Sequence, residues 1–178
     1  MNRDSAHLPP PAVPLTFRPY AATDAMNDWG STNRVSAEVG LAEGVALEGD
    51  LHLLTRFAYP PGPETPLEML NRSEAFFALT LPDGGVAFVP KAQVAVVTCR
   101  DQAGLADPDR VSAAKLVELE VVLRGGKEYR GRATAELHPS RARALDYVNS
   151  PGGFFAIWGD EVTWYINKSL VRYIRPLD

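Results

Sequence analysis

Arg124, Lys127, Arg130, Arg132, Arg141 and Arg143 follow one another closely, and Arg172 and Arg175 come later. The arginine head group is a planar fork of donors that suits carboxylates and phosphates. Arg130 and Arg132 are two residues apart, so on a strand they share a face. Trp164 adds a ring beside which a guanidinium can stack. These types in this pattern point to non-covalent binding of an anion, a phosphodiester or an acidic partner, with Arg130, Arg132, Arg141, Arg143 and Trp164 as the candidate residues. The plainer alternative is a solvated, charged face with Trp164 spent on packing. Charge balance favours that alternative. Residues 35–98 hold three bases against eight acids, whereas residues 116–178 hold nine bases against eight acids, so the second half has an acidic counterpart within its own chain.

Other chemistries find little support. His7, His52 and His138 have neither H-x-x-x-H nor H-E-x-x-H spacing, so no metal is expected. There is no G-x-S-x-G, no phosphate-binding P-loop and no G-x-G-x-x-G, and no cofactor is expected. The pairs Gly84-Gly85, Gly125-Gly126 and Gly152-Gly153 fall at turns, where glycine supplies positive φ. The single cysteine, Cys99, ends an apolar run with no neighbouring His or Lys to make it a thiolate, so it reads as a small buried thiol. Asn71 and Asn149 read as left-handed residues at helix ends. The arginine-led motif of cyclic-dinucleotide receptors of the PilZ type is not met, because Arg141 and Arg143 are too close for Arg-x-x-x-Arg. A catalytic constellation is therefore not expected.

The whole composition agrees with an ordinary globular chain. Of the 178 residues 46% are apolar and 22% charged, and the net charge of −4 gives the molecule no overall attraction for nucleic acid or anionic lipid. One cysteine rules out an internal disulfide framework, and no apolar run approaches the length that crosses a bilayer. The expectation is a soluble cytoplasmic protein with no membrane association.

Elements that would carry the candidate residues appear twice. Residues 1–34 read as a proline-rich arm, with Pro9, Pro10, Pro11 and Pro14 ahead of the segment Leu15–Tyr20, which carries enough apolar surface to dock as a strand or clip, the alternative being a disordered tail. From residue 35, VSAEVGL alternates as a half-buried strand, Glu43-Gly44 turns, and a second strand follows. Thr65, Pro66 and Glu68 form the signature of a capped short helix. FFALTL, the Asp83-Gly84 turn, VAFVP and QVAVVT complete the set. Both faces of FFALTL begin with phenylalanine and VAFV is apolar throughout, so both faces are expected to be covered. Residues 99–115 form a polar connector. LVELEVVL then opens the same order again, with a helix in HPSRARALDYVN that Ser140 would cap, and then FFAIW, TWYINK and LVRYI.

The two halves align by arithmetic. Leu67, Asn71, Phe76, Phe77 and Ala78 recur 78 residues on, at Leu145, Asn149, Phe154, Phe155 and Ala156. Lys91 and Val94 recur 77 on, and Val39, Gly44 and Gly49 recur 82 on. The offset changes only within expected loops, where insertions are tolerated, and a strand cannot slip without inverting its faces. The expected fold is mainly β with short helices (α+β), a tandem duplication of a small five-stranded, sheet- or barrel-like unit in the order strand-strand-helix-strand-strand-strand. Its parts are the arm (1–34), the first repeat (35–98), the connector (99–115) and the second repeat (116–178).

The pattern L-x-x-x-N, F-F-x-L/I, N-K-x-x-V, best seen in LDYVNSPGGFFAIW and YINKSLVRYI, resembles a family of small bacterial domains of uncharacterised function. The first half departs from it at Pro90, which stands where the second half has Asn167. The layout is also similar to small barrels of the SH3 or Sm type. The resemblance implies a fold and no activity. The functional expectation is a non-enzymatic binding or regulatory protein acting through a protein partner or a homo-oligomer, the alternative being an anion or nucleic-acid binder that uses the arginine-rich half.

Overall fold

Alternation builds the first ribbon. In the computed structural model, which describes residues 32–56, 61–100, 115–135 and 143–177, β1 (Thr32–Leu41) and β2 (Ala46–Arg56) pair antiparallel with Val39 opposite Leu47 and Ala37 opposite Gly49. Ala37, Val39, Leu51 and Leu53 are buried, as the two-residue period requires. The two-residue strand β3 (Gly62–Pro63) pairs with the end of β2. The short helix α1 (Pro66–Asn71) has the expected capping box: the Glu68 N–H donates to the Thr65 hydroxyl at 3.2 Å, and the Thr65 N–H donates to the Glu68 carboxylate at 2.7 Å. Then come β4 (Phe76–Thr80), β5 (Val86–Pro90), a 3-10 turn at Lys91–Gln93 and β6 (Val94–Arg100).

The second half supplies β7 (Lys115–Leu123), β8 (Glu128–Ala135), α2 (Ala144–Val148), β9 (Phe154–Trp158), β10 (Val162–Asn167), a 3-10 turn at Lys168–Leu170 and β11 (Val171–Pro176). The residue preceding α2 is Arg143, which makes no side-chain cap bond, so this helix starts later than expected; Ser140 lies outside the described residues. So does the expected arm except for residues 32–34, which open β1, and the connector except for its two ends, which extend β6 and start β7.

All pairings are antiparallel and form one 11-stranded sheet in the order β11-β7-β8-β9-β10-β6-β1-β2-β4-β5, with β3 attached to β2 off the path. Within it, β6-β1-β2-β4-β5 and β11-β7-β8-β9-β10 run in the same order of elements. The seam is β10 against β6, with Tyr165 opposite Val97 and Thr163 opposite Cys99. The barrel-like closure expected for each unit is not found among the described residues: β6 takes β10 as its outer neighbour, and there the path ends at β5 and β11.

Two hydrophobic cores meet at this seam. The first gathers Val39, Leu51, Met69, Leu70, Phe77, Leu79, Val89 and Val97 from the first half and takes in Phe154, Ala156 and Tyr165 from the second. The second gathers Leu119, Val121, Tyr129, Phe155, Ile157 and Ile166 and takes in Ala95 and Val96 from β6. Strands β9 and β10 are thus buried on both faces. Burying a side chain such as Phe154 contributes about 1.5–3 kcal/mol, so the exchanged residues bind the halves together.

Polar contacts fix the seam. The Asn71 side chain donates to the Phe154 carbonyl at 3.1 Å and accepts from the Phe154 N–H at 2.9 Å. It occupies the space that a Cβ on Gly152 would need, 2.6 Å away, and Gly152 holds φ +105°. Asn167, buried, donates to the carbonyls of Lys91 (3.2 Å) and Val94 (2.9 Å). The left-handed roles expected of Asn71 and Asn149 are not found: Asn71 is helical and bridges the halves, and Asn149 has φ −87°.

Candidate functional site

Among the described arginines of the second half, Arg130 and Arg132 lie on β8 and Arg172 and Arg175 on the end strand β11. Glu120 of β7 stands opposite Arg130 of β8 and Arg175 of β11. Its carboxylate meets Arg175 at 2.5 Å and Arg130 at 2.6 Å, and the residue is 2% exposed. The hydrogen bond from Arg175 holds the Glu120 carboxyl below its ordinary range against the opposing effect of desolvation, and the Arg175 charge and then Arg130 add to it. Arg132 reaches Asp160 at 3.1 Å, and Arg143 reaches Asp146 at 3.0 Å. Arg130 and Arg132 share a face of β8, whereas Arg143 belongs to the start of α2. Arg141 lies outside the described residues. Trp164 is half-buried against the second core, its ring centroid 5.7 Å from that of Tyr129, and Lys127 sits 5.3 Å from the Tyr129 ring. Of the four candidates among the described residues, the three arginines each carry a carboxylate partner, Arg130 with Glu120, Arg132 with Asp160 and Arg143 with Asp146.

A groove of about 330 Å³ opens between the β1–β2 turn and the β7–β8 turn. Leu41, Val96 and Leu170 give it apolar walls, and Glu38, Arg124 and Lys127 put charge around it. Among the described residues no group of three His, Cys, Asp or Glu side chains is placed to hold a metal ion. His52 is buried between Thr32 and Thr80, at 3.1 and 2.7 Å, and its pKa is lowered by burial first and by Arg34 second, with Asp50 opposing. It is an internal hydrogen-bonding residue of β2. His7 and His138 lie outside the described residues, and Cys99 is buried.

A different surface stands out at the other end of the sheet. The outward face of β4 and β5 presents Phe76, 56% exposed, and Phe88, 68% exposed, with Val86 beside them. The expectation that both faces of these strands are covered holds for their counterparts β9 and β10, where Phe154 and Tyr165 are buried, and fails here. The physical reason is placement: the outer face of β9–β10 lies on the first core, whereas β5 is the last strand of the sheet.

Among the described residues no strand pairs with the far side of β5, and the hydrogen-bond alternation sets which of its backbone groups face that way. Leu81 N–H donates to Gly85 O at 2.7 Å and Lys91 N–H to Ala75 O at 2.9 Å. The antiparallel pattern between these bonds turns the backbone groups of Val86, Phe88 and Pro90 away from β4. Proline in that row removes one donor from the open edge, where its lack costs the sheet nothing. The signal for this surface was present in the sequence as apolarity on both faces of two adjacent strands, which is excess for a sheet end with only one core to cover it.

Comparison of the chain with models of known families, with curated proteins and with solved structures finds no match. No helix among the described residues is long and apolar enough to cross a membrane.

Proposed function

We propose that the chain is a non-enzymatic binding protein that acts through protein–protein contact at the β4–β5 face, and that it arose by tandem duplication of a five-stranded unit. The observation that carries the contact reading is the pair Phe76 and Phe88, exposed together beside an open strand edge. A contiguous apolar surface of this kind is costly in water, and an unpaired edge offers a ladder of backbone groups to another chain. Support for duplication comes from the matched offsets and from paired residues with like tasks. A Cβ on Gly49 would meet Thr80 O at 2.4 Å, and one on Gly131 would meet Trp158 O at 2.9 Å, so both glycines admit the strand that follows α1 or α2. Lys91 donates to the carbonyls at the end of α1, and Lys168 donates to Ser150 O just after α2. A lone buried thiol agrees with a reducing compartment, so cytoplasmic residence belongs to the same proposal.

The anion or nucleic-acid reading is the weaker one, because Arg130, Arg132 and Arg143 are engaged by Glu120, Asp160 and Asp146. A photo-crosslinking residue in place of Phe88, with one at Asp83 as the control, tests the contact reading in cells of the native host. A protein adduct specific to position 88 is the expected result. No protein adduct, together with salt-sensitive RNA binding lost in Arg130→Ala/Arg132→Ala, would overturn it in favour of the weaker reading.

A further inference from the structure

We infer that the occupant of the β4–β5 face is a second copy of this chain, bound head to tail, with its second half set on the first half of its neighbour. The inference rests on the contact reading above and names the partner. Its template is the seam inside the chain. There β10 pairs with β6, and the outer face of β9–β10 enters the first core beside Met69 and Leu70 of α1. In the order of elements β5 stands where β10 stands and β11 where β6 stands, yet both β5 and β11 end the sheet. One chain therefore carries both halves of the seam a second time, at opposite ends, each without its complement among the described residues.

Exposure differs accordingly on both sides. Phe76 and Phe88 are exposed where Phe154 and Tyr165 are buried. On the complementary side, Met69 and Leu70 of α1 are buried, while Tyr147 and Val148, which follow them by 78 residues, are only half-buried. Leu145 of α2 is 64% exposed, and Tyr173 of β11 is 50% exposed. A surface that served some unrelated protein would not require the second half to be left open in the corresponding places.

The backbone also fits. Leu177 N–H donates to Glu118 O, which sets the alternation along β11 and turns Ile174 and Pro176 toward the open edge. Carrying the seam register over by 77 residues sets Phe88 opposite Ile174 and Val86 opposite Pro176. Phe88 and Ile174 then exchange two hydrogen bonds, and Val86 N–H donates to Pro176 O. One contact does not transfer. Gly152, which admits Asn71 at the seam, corresponds to Glu74 in the first half, so Asn149 takes no equivalent grip. The contact uses two different surfaces, so it propagates into a ring or an open chain and not into a symmetric pair.

Sedimentation velocity of the full chain, with Phe88→Asp and Tyr173→Asp as single-edge variants, tests the inference. Both side chains are exposed, and circular dichroism and melting would verify that each variant folds. The wild type is expected to form species at multiples of 19.4 kDa. Each variant alone is expected to be monomeric. An equimolar mixture of the two is expected to give a discrete pair, because each variant keeps the edge the other has lost. A wild type that stays monomeric at its highest soluble concentration overturns the inference, as does a pair lost in Phe88→Asp, intact in Tyr173→Asp and not restored by mixing. A protein adduct at position 88 to a different chain, with a monomeric wild type, would retain the contact reading and remove the self-association.

Discussion

His52 and Lys91 show how single residues set the limits of this fold. Desolvation, with Arg34 adding to it, keeps the His52 pKa below the ordinary value. The unfolded chain therefore takes up a proton near pH 6.5 that the native chain declines. Stability that is full above that pH falls as the pH drops through the interval down to the native pKa, and then falls no further from this cause. Melting temperatures measured between about pH 7.5 and about pH 5 are expected to fall more steeply for the wild type than for His52→Gln. Lys91, buried, donates to Met69 O at 2.9 Å and to Arg72 O at 2.8 Å. Lys91→Met leaves those carbonyls without a charged donor and is expected to cost about 1.5–3 kcal/mol in urea unfolding. Neither role was legible in the sequence. His52 reads there as a histidine without ligand spacing, and Lys91 as one more matched position, because the partners that bury each lie 19 or more residues away.

The elements themselves were largely legible. Alternation, the turns at Gly44, Gly84 and Gly126 and the Thr65–Glu68 box depend on neighbours a few residues apart, and each falls where the spacing put it. β3 was not, since Gly62 and Pro63 have no strand propensity and are held by the end of β2 alone. The asparagine at the end of α1 was misread for the same reason: its hydrogen bonds reach Phe154, in the other half of the chain. That contact gives a prediction at the level of the element. Gly152→Ala places a Cβ against Asn71 at a backbone φ of +105°. It is expected to cost about 1–3 kcal/mol, whereas Gly153→Ala, with open space at its Cβ, is expected to cost less. Urea titration of the two variants side by side measures the difference. The arginine cluster was legible as composition and not as a site, because composition does not say that Glu120, Asp160 and Asp146 engage its members.

The whole molecule is decided by the seam. Each half gives apolar side chains to the other's core, so neither core is complete without its sibling. The asymmetry that follows, with the outer face covered in the second half and bare in the first, cannot be read from two similar segments of sequence; it appears only once one of them has become the end of a sheet. The central claim is that the chain from β1 to β11 is one cooperative body whose parts are joined through β6, β9 and β10. Native-state hydrogen exchange read by mass spectrometry under increasing urea tests it most directly. The account predicts that amides of β2 and β4 and amides of β7 and β8 converge on one opening free energy, and that Asn71→Ala lowers that value for both sets together. Two separate plateaus, with Asn71→Ala moving only the first half, would contradict it.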